Sequence, residues 1–294
     1  MFDFRLHVFY SVATRLNFTK AANQLFISQP AVTKHIKEIE QYYQCKLFIR
    51  GGNKIELTTQ GKILLNYAEK IKHLYQELDS EIAFLNQENQ GFLRIGMSTT
   101  AAQYVLPKYL AQFKKSFPHI ELELHTGNTE NIENLLANQA IDLGIVEGKS
   151  KRSGMNYAPF LKDELVLCTQ TKTSSKSIIP KDELLKIPFV QREKGSGSLE
   201  IIASVLAKNK IKISDLKTEV TFENTESIKN YLLNSNTFAF LSISAIYEEL
   251  QHNLLKIIDV EDVMMERYFY LVSNQGENSK TSNLFINHIN NYNF

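Results

Sequence analysis

Apolar residues in the first 45 positions recur at intervals of three and four, which predicts a series of short helices. The first helix is indicated by its apolar side, formed by Leu6, Phe9, Ala13 and Leu16. Thr19 then predicts the cap of a short helix over residues 20–26, and Ser28 caps a third helix with Pro30 in its first turn. The spacing leaves room only for a tight turn around Ile27 between these two helices.

The third helix has two chemically different sides. At about 100° per residue, its apolar side covers an arc of about 60° and consists of Val32, Ile36, Ile39 and Tyr43. The opposite side carries Gln29, Pro30, Thr33, Lys34 and Lys37. Amide, hydroxyl and ammonium groups at the start of a helix suit insertion into a major groove, because they contact base edges and phosphates. An amphipathic surface helix with solvated polar residues fits the same periodicity equally well.

A glycine-rich tip follows between two short apolar segments. Residues 47–50 and 55–57 flank the run Gly51-Gly52-Asn53-Lys54, which predicts a β-hairpin. In such a wing, Arg50 and Lys54 would lie along a DNA backbone or enter a minor groove.

A long helix is predicted from residue 60 to about residue 90, where Gly61 is the one helix-weakening residue. About 30 residues at 1.5 Å each make a rod of about 45 Å. Its apolar residues step by threes and fours, close to a heptad seam, at Leu64, Tyr67, Ile71, Leu74, Leu78 and Leu85, with Ile82 nearby. Glu81 interrupts the seam. The helix either packs on its own domain or pairs with a second copy, and its length between domains favours pairing.

After Gly91 the pattern changes to alternating strands and helices, which is typical of parallel α/β sheets. The predicted strands cover residues 92–96, 120–124, 141–146, 164–168, 189–191, 219–222, 238–241 and 268–272. The predicted helices cover residues 101–117 with a boundary or kink at Pro107, 131–138, 199–208, 227–234 and a segment near the C-terminus.

Three hydroxyl-rich segments follow predicted strands, where parallel α/β folds bind ligands. Short hydroxyl residues beside free backbone N–H groups favour a carboxylate, phosphate or sulfate. The candidate ligand-binding residues are Ser98, Thr99, Thr100, Ser196, Gly197, Ser198 and Thr225. The alternative role of each hydroxyl is to cap the start of its own helix. Arg192 and Glu147 lie beside these segments and either add charge recognition or pair at the surface.

Composition describes an ordinary globular chain of 294 residues, with 43% hydrophobic and 22% charged residues. The chain does not open on a segment like a signal peptide, and Cys45 and Cys168 form no paired motif, so a cytoplasmic protein is expected. Residues 1–61 carry eight basic and four acidic side chains, a net charge of +4, against a total of +1. A basic head on a mildly acidic body fits a nucleic-acid-binding module joined to a second domain.

Catalysis finds little support in the sequence. No GxSxG, GxxxxGK[ST] or CxxC motif is present. His119 and His125 are six residues apart on one predicted strand face, about 20 Å in an extended strand, which is too far to share a metal ion. No enzyme activity, metal or cofactor is therefore expected. A small-molecule receptor without gene regulation and an enzyme with an appended DNA-binding domain are the alternatives, and the basic N-terminal module argues against the receptor.

Four segments of the N-terminal region carry a family resemblance: 18–25 (FTKAANQL), 28–37 (SQPAVTKHIK), 47–50 (LFIR) and 57–61 (LTTQG). Together they resemble the LysR-type transcriptional regulators, and they do so densely and at the right spacing. Two departures are Lys34, where arginine is frequent, and Thr59, where proline is frequent. Lysine cannot make the bidentate contact of arginine with guanine, so Lys34 is expected either to contact phosphate or to give a softer base preference.

The resemblance implies three parts: a winged helix-turn-helix at 1–61, a dimerising linker helix at 62–90 and an effector-binding domain at 91–294. The last part is expected to form two α/β lobes like those of periplasmic solute-binding proteins, lobe I from 91–163 and 267–294 and lobe II from 164–266. The implied effector site is the candidate set above, placed between the lobes. The implied DNA-binding residues are Thr19, Ser28, Gln29, Pro30, Ala31, Thr33, Lys34, Lys37, Arg50 and Lys54.

The expected partners follow from the same resemblance. They are double-stranded promoter DNA, a small-molecule effector, further copies of this chain in a dimer or tetramer, and RNA polymerase, without a membrane. Residues 192–198 resemble the family branch of sulfur-assimilation and carbon-fixation regulators, which respond to small anionic metabolites. The sequence leaves open the effector, the target genes and the choice between activation and repression.

Overall fold

The computed structural model describes residues 3–51, 54–85, 91–148, 152–276 and 278–291, without the side chains of residues 50, 51, 54, 81 and 83–85. The chain divides into two compact units, Met1–Gly91 and Phe92–Phe294. None of the helices in these ranges is both long enough and apolar enough to cross a membrane.

The first unit is a three-helix group followed by a hairpin and a long helix. Its elements are α1 (Phe4–Arg15), α2 (Phe18–Gln24), α3 (Gln29–Tyr42), β1 (Phe48–Gly51), β2 (Lys54–Leu57) and α4 (Thr59–Leu85). Strands β1 and β2 pair antiparallel, with Arg50 opposite Ile55, so the predicted wing is present. Residues 52 and 53, at its tip, lie outside the described residues. Phe9, Ile36 and Phe48 are among the buried residues that hold the unit together.

Helix α2 begins earlier than the sequence predicted. The side chain of Asn17, in extended conformation, accepts a hydrogen bond from Lys20 N at 2.9 Å, and Thr19 lies inside the first turn. The predicted cap at Thr19 was therefore wrong, because asparagine offers a better-placed acceptor two residues earlier. The cap at Ser28 is confirmed, since its Oγ accepts from Ala31 N at 3.3 Å.

The turn between α2 and α3 is as tight as expected. Phe26 adopts φ of 53°, in the left-handed region, and its ring is 95% exposed. The backbone N–H groups of Phe26 and Ile27 donate to Asn23 and Ala22 at 3.3 and 3.1 Å. This left-handed residue ends α2 and sets the direction of α3.

Helix α4 buries one side in the first unit and leaves another uncovered. Ala68 is fully buried in the core, and Leu64 and Leu65 pack partly against it. Leu64, predicted in the seam, therefore belongs to the covered side. Large apolar side chains that are 37–62% exposed follow one stripe: Ile63, Tyr67, Ile71, Leu74, Leu78 and Ile82. The predicted end of the helix at residues 86–90 and the side chain of residue 85 lie outside the described part of the chain.

The second unit alternates strands and helices. Its strands are β3 (Gly91–Ser98), β4 (Ile120–Gly127), β5 (Leu143–Glu147), β6 (Met155–Gln170), β7 (Ile178–Ile179), β8 (Pro188–Arg192), β9 (Lys217–Phe222), β10 (Phe238–Ser242), β11 (Leu255–Val260) and β12 (Glu266–Asn274). Its α-helices are α5 (Pro107–Ser116), α6 (Thr129–Ala137), α7 (Gly197–Lys208), α8 (Thr225–Leu232), α9 (Ile243–Gln251) and α10 (Lys280–Asn291). A π-helical turn covers Ala101–Val105, and 3₁₀ helices cover Lys181–Leu185 and Ile213–Asp215.

The strands form one mixed arrangement, in the order β4-β3-β5-β12-β6-β10-β8-β9, with β11 on β6 and β7 on β11. The pairs β3–β5, β8–β9 and β8–β10 are parallel, as predicted. Strands β6 and β12 pair antiparallel with each other and with their other neighbours, so the sheets are mixed rather than purely parallel.

Strand β6 belongs to both halves of this arrangement. Residues 155–164 pair with β12, and residues 165–170 pair with β10 and β11. We call the part around β3–β5, α5, α6, β12 and α10 lobe I, and the part around β7–β11 and α7–α9 lobe II. The predicted strand at 164–168 is the second half of this longer strand.

The predicted helix over residues 101–117 is interrupted where its proline suggested. The π-helical turn ends at Val105, and α5 begins at Pro107, whose missing N–H is harmless at a helix start. Helix α9 and strands β7 and β11 were not predicted from the sequence.

Candidate functional site

The exposed side of α3 carries the predicted DNA-reading residues. Gln29 Nε2 donates a hydrogen bond to Thr33 Oγ1 at 3.2 Å, so the two side chains lie one helical turn apart on the same face. Lys34 and Lys37 are exposed beside them. These four residues and Pro30 line one shallow surface depression, which also reaches Glu38 and Gln41. The structure thus brings together most of the predicted reading residues on one face.

The remaining predicted residues are spread around this face. Ser28 is used as the cap of α3, with Ala31 as its donor, and Thr19 is exposed in the first turn of α2. The backbone of Arg50 lies in β1 and that of Lys54 in β2. The structure does not describe the side chains of Arg50 and Lys54. Their contacts with the DNA backbone or the minor groove therefore stay predictions.

In the second unit, the predicted effector residues lie at the carboxyl ends of strands. Ser98 ends β3, Glu147 ends β5 and Arg192 ends β8. Ser196 to Ser198 begin α7, and Thr225 begins α8. Apart from Thr99, all of these residues are buried. Four different connections, after β3, β5, β8 and β9, therefore deliver them to the interior of the unit.

Two contacts join these segments across the lobes. Thr100 Oγ1 in lobe I lies 3.5 Å from Thr225 Oγ1 in lobe II, and both side chains are buried. A Cβ on Gly197 would lie 2.4 Å from the carbonyl oxygen of Glu147 and 2.5 Å from Thr129 Oγ1. Lobe II approaches lobe I so closely at Gly197 that a side chain has no room.

Some of the hydroxyls act as helix caps. Ser98 Oγ accepts from Ala101 N at 3.3 Å, and Ser196 Oγ accepts from Leu199 N at 3.5 Å. Asn224, rather than Thr225, caps α8. The capping alternative therefore holds for Ser98 and Ser196, whereas the hydroxyls of Thr100 and Thr225 face each other.

Arg192 and Glu147 do not pair at the surface, so that alternative was wrong. Both are buried. Arg192 Nε and Nη2 donate to the Glu193 carboxylate at 2.8 and 3.1 Å, and Nη2 also donates to the Glu223 carbonyl at 3.1 Å. Glu147 Oε2 accepts from Thr129 Oγ1 at 3.4 Å. The charge of Arg192 is thus already paired within lobe II.

A buried ion pair at the junction of the lobes was not predicted from the sequence. Arg267 in β12 faces Asp163 in β6, and Arg267 Nε donates to Asp163 Oδ2 at 2.7 Å. The side chains are 1% and 0% exposed. Arg267 Nη1 also donates to Ser198 Oγ at 2.6 Å, which links the pair to the start of α7. In the sequence Arg267 stands beside Glu266, and Asp163 stands between Lys162 and Glu164, so no local pattern marks either residue as a buried charge.

Several buried polar atoms at this junction are left unpaired. Among the described residues, Thr99 Oγ1, Glu147 Oε1, Gln191 Oε1 and Arg267 Nη2 have no hydrogen-bond partner. Buried polar groups in proteins are nearly always paired. These four atoms belong to residues near the ends of β3, β5 and β8 and the start of β12.

A second polar group connects the lobes beside Thr100. The hydroxyl of Tyr104 donates to the carboxylate of Glu226 in α8. Lys229 Nζ lies 3.0 Å from Glu226 Oε1, 2.8 Å from Glu249 Oε1 and 5.0 Å from the centre of the Tyr104 ring. Burial and the Glu226 carboxylate raise the pKa of Tyr104. Tyr104 therefore stays a hydrogen-bond donor throughout the physiological range.

Cys168 is buried in lobe II and donates to the Ala239 carbonyl at 3.4 Å. Burial raises the pKa of this thiol, so it remains protonated at neutral pH. A protonated, buried thiol is a poor nucleophile.

Comparison with known proteins covers both units. The family model "Bacterial regulatory helix-turn-helix protein, lysR family" matches residues 4–62, and the model "LysR substrate binding domain" matches residues 86–293. A probable RuBisCO transcriptional regulator of Trichormus variabilis is 32% identical over 92% of this chain and 82% of its own length. The HTH-type transcriptional regulator CysL of Bacillus subtilis is 31% identical over 96% of this chain and 94% of its own length.

Solved structures agree with this comparison. CbnR in complex with its target DNA is 17% identical, with a TM-score of 0.75 over 98% of each chain, and shows a shared fold. The regulatory domain of CcmR from Synechocystis PCC6803, solved in complex with 2-PG, is 27% identical, with a TM-score of 0.63 over 69% of this chain and 97% of that domain.

Proposed function

This chain belongs to the LysR family of transcriptional regulators, and we propose that a small anion bound between lobes I and II controls its activity. The chain is a DNA-binding regulator with an effector-binding domain, and its relatives are regulators rather than enzymes. The observation that carries the proposal is the contact of Thr100 with Thr225 between the lobes, beside the first turn of α8.

The local electrostatics favour a negative charge at this place. Helices α7 and α8 both begin at the junction, and a helix N-terminus behaves as about half a positive charge with unpaired N–H groups. Hydrogen bonds to a charged group contribute about 1.5–3 kcal/mol each. Two or three of them support micromolar affinity after the ordering costs of binding. The 2-PG held by the CcmR regulatory domain gives a precedent for a small ligand in this fold.

Effector binding changes activity only if the ligand prefers one arrangement of the lobes, because equal affinity for two arrangements shifts nothing. The proposed site includes groups from lobe I, such as Thr100, and from lobe II, such as Thr225 and Ser198. A ligand that touches both lobes stabilises the arrangement in which both sets of groups reach it.

The test is calorimetry of the full chain with a panel of small carboxylates, phosphates and sulfate, each beside a neutral analogue of similar shape. We expect saturable binding of at least one anion and a change in operator footprint at the same concentrations. Consistent preference for neutral, apolar ligands would exclude the anion proposal.

The DNA contacts are part of the same proposal. Gln29 and Thr33 contact bases, and Lys34, Lys37 and Arg50 contact phosphates, with Lys54 in the wing. The support is the shared exposed face of α3, whose N-terminal half carries both kinds of group. Thr19, Ser28, Pro30 and Ala31 surround this face at the starts of α2 and α3.

We also propose that α4 joins two copies of this chain. The exposed apolar stripe from Ile63 to Ile82 is too regular and too large for a solvent-facing surface. Two such stripes packed side by side would bury these large apolar side chains and place two DNA-binding domains on one promoter. The division of the chain into a DNA-binding domain that ends at residue 61 and a linker helix that ends at residue 90 is part of this proposal.

A further inference from the structure

We infer that Arg267 is the charged ligand of the effector anion and that its Nη2 atom donates to it. The inference rests on the proposed function, because it names a residue of the same anion site. It adds a residue that the sequence analysis did not select.

The hydrogen bonds of Arg267 leave one arm of its guanidinium free. Nε donates to Asp163 Oδ2, Nη1 donates to Ser198 Oγ, and Nη2 has no partner among the described residues. Arginine and a carboxylate often pair through two parallel hydrogen bonds. Here the second oxygen of Asp163 accepts instead from Ser242 Oγ at 2.9 Å and Ser244 Oγ at 3.3 Å. Asp163 is thus occupied elsewhere, and Nη2 is available.

The position of the guanidinium is fixed by its surroundings. Its carbon Cζ lies 5.0 Å from the centre of the Phe269 ring, and the side chain is 1% exposed. Two hydrogen bonds and this ring hold it in one orientation. A ligand for Nη2 therefore meets a preorganised donor, which reduces the ordering cost of binding.

The start of α7 beside Arg267 does not by itself favour a positive charge. Through Ser198, the second residue of α7, the guanidinium lies beside a helix N-terminus. A cation there is unfavourable, because the helix end is itself positive. Asp163 supplies one negative charge to the guanidinium, and Glu147 supplies a second carboxylate opposite Phe269, two residues along β12. Neither carboxylate accepts a hydrogen bond from Nη2, which is left for the anion. The guanidinium and the first N–H groups of α7 would then face the same anion.

The competing interpretation is that Arg267 only holds β12 to β6 through Asp163. The two interpretations make opposite statements about Asp163→Asn. If Arg267 is structural, loss of either partner has the same effect. If Arg267 binds the anion, Asp163→Asn keeps the ligand and removes a carboxylate that competes for it.

The experiment titrates the full chain and its variants with 2-PG, inorganic phosphate and sulfate by calorimetry, with thermal unfolding as the check of folding. Asp163→Asn should bind the wild type's anion at least as tightly as wild type. Arg267→Lys should lose at least about tenfold in affinity, because one ammonium group cannot reach Asp163, Ser198 and the anion together. The double variant Asp163→Asn with Arg267→Gln removes both charges, so no buried charge is left unpaired, and it should lose at least as much.

Each outcome decides a specific claim. Wild-type affinity in both Arg267→Lys and the double variant would overturn the assignment of Arg267 while leaving the anion site standing. Equal losses in Asp163→Asn and Arg267→Lys would also overturn it, in favour of the structural interpretation. If the double variant does not unfold cooperatively, the contrast between the two single variants decides. Absence of binding by wild type to all three anions and to the small carboxylates of the wider panel would overturn the proposed function together with this inference.

Discussion

Tyr104 in lobe I donates a hydrogen bond from its phenolic hydroxyl to the carboxylate of Glu226 in lobe II. Replacing Tyr104 by Phe removes this donor and keeps the ring against Lys229. We expect a loss of about 1 kcal/mol in the free energy of unfolding, or about 2–4 °C in melting temperature for a unit of this size. Calorimetric melting measures the change. The control is Tyr247→Phe, at an exposed tyrosine, and equal melting temperatures for the two variants would contradict the prediction.

The same contact predicts a dependence on acid pH. Burial raises the pKa of Glu226, but the hydrogen bonds from Tyr104 and Lys229 outweigh it and lower the pKa below its ordinary value of 4.5. A carboxylate with a lowered pKa stabilises the fold above its unfolded-state pKa, and this stability is lost as the pH falls through the folded-state pKa. Glu226→Gln should therefore flatten the decline of melting temperature below about pH 4.5. Because Glu226 is 47% exposed, the effect should stay below about 1 kcal/mol. If the melting temperatures of wild type and Glu226→Gln fall by the same amount as the pH is lowered to 3, the predicted role of Glu226 is contradicted.

On α3, the base-contacting and phosphate-contacting roles predict different effects on DNA binding. Gln29→Ala should relax the preference at one base-pair position and cost about 1–3 kcal/mol. Lys37→Ala should weaken binding to all sequences alike and reduce the salt dependence by about one ion. Binding to a randomised operator library at several salt concentrations separates the two. Gln251→Ala, at an exposed glutamine of the second unit, is the control, and unchanged affinity and base preference in Gln29→Ala would show that the docking is wrong.

The exposed stripe of α4 predicts association through this helix. Leu74→Asp places a charge in the middle of the stripe, where burial without a partner is strongly unfavourable. The oligomer should dissociate, and operator affinity should fall because two tethered reading heads become one. Light scattering measures the mass. The control Asn66→Asp adds the same charge on the same helix, outside the stripe. If the oligomer persists in Leu74→Asp as it does in this control, the stripe is not the surface through which the chains associate.

We expect the hydroxyl of Thr100, at the junction between the lobes, to be needed for the response to effector. Thr100→Val keeps the shape of the side chain and removes the group that faces Thr225. The response of the operator footprint to an anion should weaken, while effector-free DNA binding stays as in wild type. Ser198→Ala removes the acceptor of Arg267 and should act in the same direction. Thr221→Val, on an exposed part of β9, is the matched control. An unaltered response in both Thr100→Val and Ser198→Ala would count against the anion site.

Local patterns predicted the elements whose burial follows a simple period. The four helices of the first unit and apolar strands such as β5 are of this kind. The first half of β6 escaped prediction because Pro159 and the exposed Lys162 interrupt its alternation, and only its pairing with β12 makes it a strand. In the same way, the cap of α2 shifted by two residues, since neighbouring Asn17 and Thr19 both suit the position.

The candidate site was predictable in its location and less so in its chemistry. The rule that ligands bind beyond the carboxyl ends of parallel strands was enough to select Thr100 and Thr225. Arg267 and Asp163 are 104 residues apart in sequence, and their pairing depends on the register of β12 against β6. No local sequence pattern contains that register, so the contact of the Arg267 guanidinium with Ser198 became visible only in the structure.

The continuity of β6 determines how the lobes are able to move. One connection between them is an unbroken strand from Met155 to Gln170, and the other is the short segment between β11 and β12, where Met265 O accepts from Leu165 N at 2.9 Å. A rotation of one lobe against the other would therefore twist β6 over many backbone dihedral angles, whereas the second connection has only the short segment between Val260 and Glu266 to adjust. A ligand that preferred one arrangement of the lobes would then act through a small change in the twist of β6.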